Sequence, residues 1–581
     1  MFSTPLLRWG SLFPVAAVAL AVALRLQSPA DTSEPHSARY CYKHIRTHDK
    51  TRPRAECFSV QDGKFGRVWT EDQWPAEFPD IETTDGYVIP GLWDGHGHLL
   101  QYGQFLHSVD LFGSKSLADV RRRVKAYRET NPKAGKRRHW IRGVGWDQAA
   151  FGRMPTAADL KEDPLLDGLY IMLDRIDVHC TWVSQAVLDL LPDDPRDLPG
   201  GEIIREPGMG VFCDNAMKLV VDKWPKPTDG DKAKAVKAAM AKLNEVGLVG
   251  MHDAGSTRDE HKLYAWMADR DREDWTVRVY AMLECDKRNT FCSRRAKVER
   301  EDDMFTVRSV KLFADGALGS WGSAMLEPYS DHNWTSGSLL INASDLTAVT
   351  KEWAEAGYQV NIHAIGDLAN RNAIDAFEAA LKQQCPDAAR PEALAACQHQ
   401  RRFRIEHSQI IHPTDQRRMR TLGIIPSIQP THATSDMKYA LARLGPERTA
   451  KEAYRMHSLL DVGPGPILGS DFPVEPPNPF HGIYAAVTRK SPATGLGLNG
   501  SAEGWHAEEA LTLDAALWGF TGAAAYGAFL EGRAGVIQEG AFADWVVLDE
   551  PIEDMDIEQL RSLRVRETWV AGKIVYPKGE D

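Results

Sequence analysis

The chain has 581 residues, 43% hydrophobic and 26% charged, with a formal net charge of −12 at pH 7. That length exceeds what one core of ordinary size supports, so a large and a small domain are expected. The acidic balance, with a pI of about 5.9, excludes nucleic acid as a main partner, because phosphate binding requires a basic face.

The N-terminus carries an apolar run, Leu12–Leu24 (LFPVAAVALAVAL), between Arg8 and Arg25. It is short for a bilayer span, which needs about 20 residues. Residues 1–30 read either as a signal anchor or as a signal peptide with Ser28-Pro29-Ala30 as the cleavage region. Both imply the secretory pathway, with the folded part lumenal or extracellular, anchored or secreted. The membrane is met only through this segment. An even count of eight cysteines agrees. Cys41/Cys57, Cys285/Cys292 and Cys385/Cys397 are near enough in sequence to be bridged, and no cysteine sits in a CxxC zinc pattern. Sequons at Asn333, Asn342 and Asn499 point to a glycoprotein in the same compartment.

Residues 31–38 read as a polar linker. From 39 to 89, short runs such as ARYCY, AECFSV and GRVWT look like strands between turns. The C-terminal part, 528–581, alternates apolar and polar residues in GVIQEGAFADWVVLDE and RVRETWVAGKIVY. The two chain ends are therefore expected to build one small composite β-sandwich domain.

Residues 90–527 alternate differently. DKAKAVKAAMAKLNEV reads as a helix stopped at Gly247, and LVGMHDAG follows as a strand. DLTAVTKEWAEA is a helix with Ser344 as cap and Gly357 as stop, followed by the strand YQVNIHAIGD. LANRNAIDAFEAALKQQ precedes the strand RFRIEHSQII, and PTDQRRMRTL ends at Gly423 before IIPSIQP. PILGSD is the last short strand. KQQCPDAARPEALAACQHQ looks like an insertion pinned by Cys385 and Cys397. Repeated βα units mean a parallel α/β sheet, and this span holds eight of them plus insertions. A (β/α)8 TIM barrel is the natural closure. An open doubly wound sheet is the runner-up, but no GxGxxG fingerprint follows a strand.

In a TIM barrel the chemistry lies at the C-terminal ends of the strands. Here those ends are polar: His96-Gly97-His98, Met251-His252-Asp253, Lys311 with Asp315, His363, His407 and Asp471. Residues two apart on a strand point to one side, about 7 Å apart, so His96 and His98 can approach one metal ion. Four histidines and a carboxylate converging at one mouth need a shared partner, because a buried unpaired polar group is costly. A divalent metal supplies it; a hydrogen-bonded network without metal is the alternative. Lys311 within VKLFADG either pairs with a carboxylate such as Asp315 or is carboxylated by CO2, which requires the low pKa that burial brings.

PGLWDGHGHL, VKLFADGALGS, NIHAIGD, IEHSQ and GSDFPV, in the places of the first, fourth, fifth, sixth and eighth strands, resemble the amidohydrolase superfamily of metal-dependent hydrolases. RIDVHCTWVSQAVL (175–188) and GAFADWVVLDEP resemble amidohydrolase family 3 in particular, the branch with N-substituted formamide deformylase-like proteins. The resemblance runs from about residue 55 to the C-terminus. It implies a barrel beside a composite β domain. It also implies that His96 and His98 hold the more buried metal, that Lys311 bridges both metals as a carbamate, and that His363 and His407 hold the second. Asp471 would bind the first metal and shuttle protons. His179 and Asp315 would face the substrate. Two departures bear on substrate detail: Trp93-Asp94-Gly95 replaces the usual acidic-aliphatic pair, and Val183 stands where an asparagine is common before Ser184.

The expected cofactor is a pair of zinc ions, with iron, manganese or nickel as alternatives. The expected reaction is hydrolysis of a non-peptide, amide-like C–N bond in a small molecule by a metal-activated water. Ester, lactone or phosphoester hydrolysis on the same site is a second reading, and a non-catalytic lumenal metal-binding protein a third. A homodimer is compatible with all three.

Overall fold

Eight strands run parallel around a barrel: Leu92–Gly97, Leu248–Ser256, Arg278–Leu283, Phe305–Phe313, Gln359–Ala364, Arg404–His407, Ile425–Ile428 and Ile467–Leu468. Gly97 bridges Phe472 in parallel and so returns the eighth strand to the first. The structure is a computed structural model that describes residues 38–73, 83–292, 296–386 and 390–577. The apolar run Leu12–Leu24 and the linker up to residue 37 lie outside the described residues. Among the described residues, no helix is long and apolar enough to cross a membrane.

The barrel strands are buried on both faces, as parallel strands under a layer of helices must be. Local sequence starts and stops the helices. Thr228 and Thr257 open theirs with capping boxes to Asp231 and Glu260. The helix Ala343–Glu355 starts two positions earlier than expected. Asn342, not Ser344, is its cap, accepting from the Asp345 amide at 2.9 Å. Ser344 lies inside the first turn and donates to Asn342 Oδ1. Asn342 has the extended backbone that the cap position needs (φ −70°, ψ 159°).

The two chain ends meet in one seven-stranded sheet. Its order is Lys573–Tyr576, Glu567–Val570, Trp545–Leu548, Thr84–Pro90, Ala38–Asp49, Arg52–Gln61 and Lys64–Trp69. Lys64 bridges Phe542, so the sheet curls around a core that includes Phe58, Phe65, Val88 and Trp545. Thr84–Pro90 runs almost directly into the first barrel strand. The buried Arg278 of the third barrel strand donates to Asp544, at 2.6 and 3.1 Å, and locks the sheet to the barrel.

Between the first and second barrel strands the chain inserts a six-stranded mixed sheet, ordered Gly201–Ile204, Val211–Asp214, Cys180–Val183, Ile171–Arg175, Ile141–Trp146 and Val109–Asp110. Its own core includes Trp146, Leu173 and Trp182. Four disulfides form. Cys41–Cys57, Cys285–Cys292 and Cys385–Cys397 are the pairs expected from spacing, and Cys180–Cys213 joins two insertion strands. No cysteine is free. Such usage fits an extracellular or secretory location.

Barrel closure leaves no room at Gly97. A Cβ there would lie 2.3 Å from the ring of the buried Phe472. Gly97→Ala should therefore overpack the seam between first and eighth strands, at about 1–3 kcal/mol. The expected outcome is a clearly lower apparent melting temperature; an unchanged one would mean that the seam is looser than described.

Candidate metal centre at the barrel mouth

The strand ends bring the predicted residues together. His96 is fully buried at the end of the first strand, with Nε2 3.5 Å from Asp471 Oδ1. His98 Nε2 reaches the same oxygen at 3.1 Å. The rings of His96 and His407 are 4.8 Å apart, and those of His407 and His363 4.4 Å. Lys311 Nζ lies 3.4 Å from His96 Nε2 and 3.4 Å from the Ala254 carbonyl, away from the Asp315 partner considered above. His407 and Asp471 stand on left-handed backbone (φ +75° and +60°), which turns their side chains out of the strand direction into the mouth. Strained residues of this kind persist where surrounding structure holds them for function.

These residues fit a divalent cation. His96, His407 and Asp471 offer ligand atoms within 4.8 Å of one another. His363 Nε2 is buried without a hydrogen-bond partner, an expense that a ligand would relieve. Burial, reinforced by neighbouring cationic groups, holds His96, His363 and His407 well below the usual histidine pKa. A lowered pKa favours the neutral imidazole, the form that binds metal. Burial would raise the Asp471 pKa, yet the charge of its histidine neighbours when protonated, with the hydrogen bond from His98, holds the carboxyl below the usual carboxylate range. Burial pushes the Lys311 ammonium down to about 8.

A layer of supporting residues fixes this set, and sequence reasoning did not single it out. Glu406 is fully buried and takes His96 Nδ1, which aims Nε2 at Asp471. Arg404, two residues earlier on the same strand, holds both oxygens of Glu406, and also bonds the Gly95 carbonyl at 2.8 Å and Ser427 at 3.1 Å. Burial alone would raise the Glu406 pKa, but Arg404 and Lys311 keep it low, so it remains a carboxylate. Gln429 holds His407 Nδ1 at 2.8 Å. Asp94, from the departing Trp93-Asp94-Gly95, accepts from the His96 amide (2.9 Å) and the Ser470 hydroxyl (2.6 Å), tying the first metal-site strand to the Asp471 turn. Arg404 and Glu406 did leave a signal: two charges at i and i+2 inside an apolar strand must share one buried face.

The two residues expected to face substrate are placed differently. His179, on the insertion, lines the cavity above the centre, its ring 5.6 Å from that of His363. Its Nδ1 lies 2.7 Å from Asp214, and although burial opposes protonation this carboxylate raises its pKa. Asp315 is completely buried. Its carboxylate accepts from the amides of Ala324, Ile365 and Gly366 at 2.8–3.0 Å, which clamps the loops after the fourth and fifth strands. The cavity itself holds about 180 Å³. Besides His179, His407 and Asp471, its wall includes His432, Asp436, Glu475 and Arg175, the last already engaged by Gln148 and Asp177. Wider grooves of about 410 and 830 Å³ run between the insertion and the helix Asp229–Glu245, away from the histidine centre.

The support layer can be tested apart from the ligands. Glu406→Gln removes the charge that orients His96 and should weaken zinc affinity about 10–100-fold. Competition against a chromogenic chelator measures it. Wild-type affinity in this variant would show that His96 needs no such partner.

The comparisons with known proteins agree with this geometry. The profile of the amidohydrolase family matches residues 81–576. Protein LONG AFTER FAR-RED 3 of Arabidopsis thaliana is 30% identical over 92% of this chain and 90% of its own. N-substituted formamide deformylase of Arthrobacter pascens is 25% identical over 92% of this chain and 97% of its own. Among solved structures, an uncharacterized metal-dependent hydrolase from Pyrococcus furiosus superposes with a TM-score of 0.65 and 25% identity, covering 88% of this chain and 99% of that one. Strand order, histidine cluster and match across most of the chain lead to one conclusion: the protein belongs to the amidohydrolase family of metal-dependent hydrolases.

Proposed function

We propose that the protein hydrolyses an amide-like, non-peptide C–N bond in a small molecule at a centre of two divalent metals, zinc in the first instance. The observation that carries this reading is the position of Asp471. One carboxylate oxygen meets both His96 and His98, and the same side chain forms part of the cavity wall. A group so placed can serve the centre and a substrate at once.

His96, His98 and Asp471 would hold one ion, and His363 and His407 the other. Lys311 would lie between them as a carbamate. Its burial and lowered pKa favour the neutral amine that reacts with CO2. Bound metals acidify a water and polarise the scissile carbonyl. The chain's own residues do the rest. Asp471 Oδ2, the oxygen turned toward His432, takes the proton from the attacking water and passes it to the leaving nitrogen. A cavity of about 180 Å³ suits a small ligand. The name of the Arthrobacter relative, a deformylase of N-substituted formamides, supports a C–N bond as the target.

Asp471→Asn should retain much of its metal and lose turnover by about 10²–10⁴-fold, the range for a lost general acid–base. Near-normal turnover would remove Asp471 from proton transfer. A panel pairing 4-nitroacetanilide with 4-nitrophenyl acetate and a lactone should favour the amide; activity confined to the oxygen esters would replace the C–N reading with ester hydrolysis.

A further inference from the structure

We infer that the six-stranded insertion completes the active site, with Asp214 as a positioning residue that holds His179 toward the substrate. The inference rests on the hydrolase reading above. His179 directly precedes the strand Cys180–Val183, and Asp214 ends the antiparallel neighbour Val211–Asp214. Three connections join the two. Asp214 Oδ1 lies 2.7 Å from His179 Nδ1. The Asp214 amide donates to the His179 carbonyl at 2.8 Å. Directly beside them, Cys180 pairs in register with Cys213 and the two are bridged. A staple adjoining one side-chain pair limits how far that pair can part.

Backbone conformation adds an independent sign. Val178 and Asp214 both adopt left-handed backbone, at φ +52° and +49°. For a β-branched residue this is an outlier, and such outliers cluster at functional sites. The barrel side is shaped to match. A Cβ on Gly316 would meet Asp214 Oδ1 at 2.6 Å, and one on Gly322 would meet Oδ2 at 2.9 Å. The loop after the fourth barrel strand thus brings bare backbone against the carboxylate. With Nδ1 committed to Asp214, Nε2 is the ring atom left for a ligand in the cavity, beside His363. There its lone pair can accept a hydrogen bond from the N–H of a bound amide-like compound. Asp214 touches no ligand; it acts by fixing the tautomer and direction of the ring.

A double-mutant cycle tests this. His179→Ala, Asp214→Asn and the double variant are compared as metal-loaded full-length protein, with acetohydroxamate as probe and calorimetry as readout. Each single change should weaken binding about 10-fold or more, the worth of a hydrogen bond to a charged group. The double variant should bind no more weakly than His179→Ala, because Asp214 acts through that ring. A low-field imidazole proton resonance should be present in the wild type and absent from both single variants. Where 4-nitroacetanilide or 4-nitrophenyl acetate is turned over, kcat should fall more than KM rises. Losses that multiply in the double variant, an Asp214→Asn protein that binds like the wild type, or a wild type that does not bind acetohydroxamate would each overturn the inference. Failure of the hydrolase reading shows separately, as a wild type that binds acetohydroxamate and hydrolyses no member of the panel.

Discussion

The site depends on one buried arrangement, Arg404–Glu406–His96, inside the barrel. Glu406 is a carboxylate with no access to water, and it survives there because Arg404 holds it from below and His96 meets it from above. Loss of one partner from such a buried pair typically costs about 3–5 kcal/mol, since the other charge is left stranded. The same contacts fix which nitrogen of His96 looks outward. A stability requirement of the core and an orientation requirement of the mouth are thus met by the same three side chains. Arg404 also reaches the backbone of the first strand and Ser427 of the seventh, so the network spans the barrel.

From this base, the architecture divides its tasks. The composite sheet feeds directly into the first barrel strand and is locked by Arg278 and Asp544, well below the mouth. It sets the height of His96 and His98. The eighth strand delivers Asp471 on a left-handed turn, pinned to the first strand through Asp94 and Ser470. The insertion supplies the part of the cavity wall that carries His179. The result is a small, partly open cavity with the histidine cluster at the barrel mouth and one wall from a different sheet.

Much of this was legible in the sequence because each ligand ends an apolar strand. Helix stops and the apolar runs that follow them located the strands, and position at a strand end marked His96, His98, His363, His407 and Asp471 as convergent. Lys311 was visible as a lone cation in an apolar run. The support layer was harder. Arg404 and Glu406 read as ordinary charges unless the strand's buried faces are counted, and Gln429 and Asp94 carry no signal of their own. Asp214 and the Cys180–Cys213 bridge could not be placed, because their neighbours come from the folding of the insertion rather than from any spacing along the chain. Asp315 shows the opposite limit. Its closeness to Lys311 in sequence suggests that the two pair, whereas its carboxylate takes three backbone amides and lies 3.7 Å from His363 Nε2 instead.

Metal content per chain, by elemental analysis on protein purified without chelators and without added metal, separates a metal centre from a polar network. About two divalent ions per chain are expected where His96, His98, His363, His407 and Asp471 share a site around a carboxylated Lys311. A chain that carries none, and takes up none on soaking with zinc, would mean that the buried imidazoles form a polar network, and would contradict the hydrolase account at its centre.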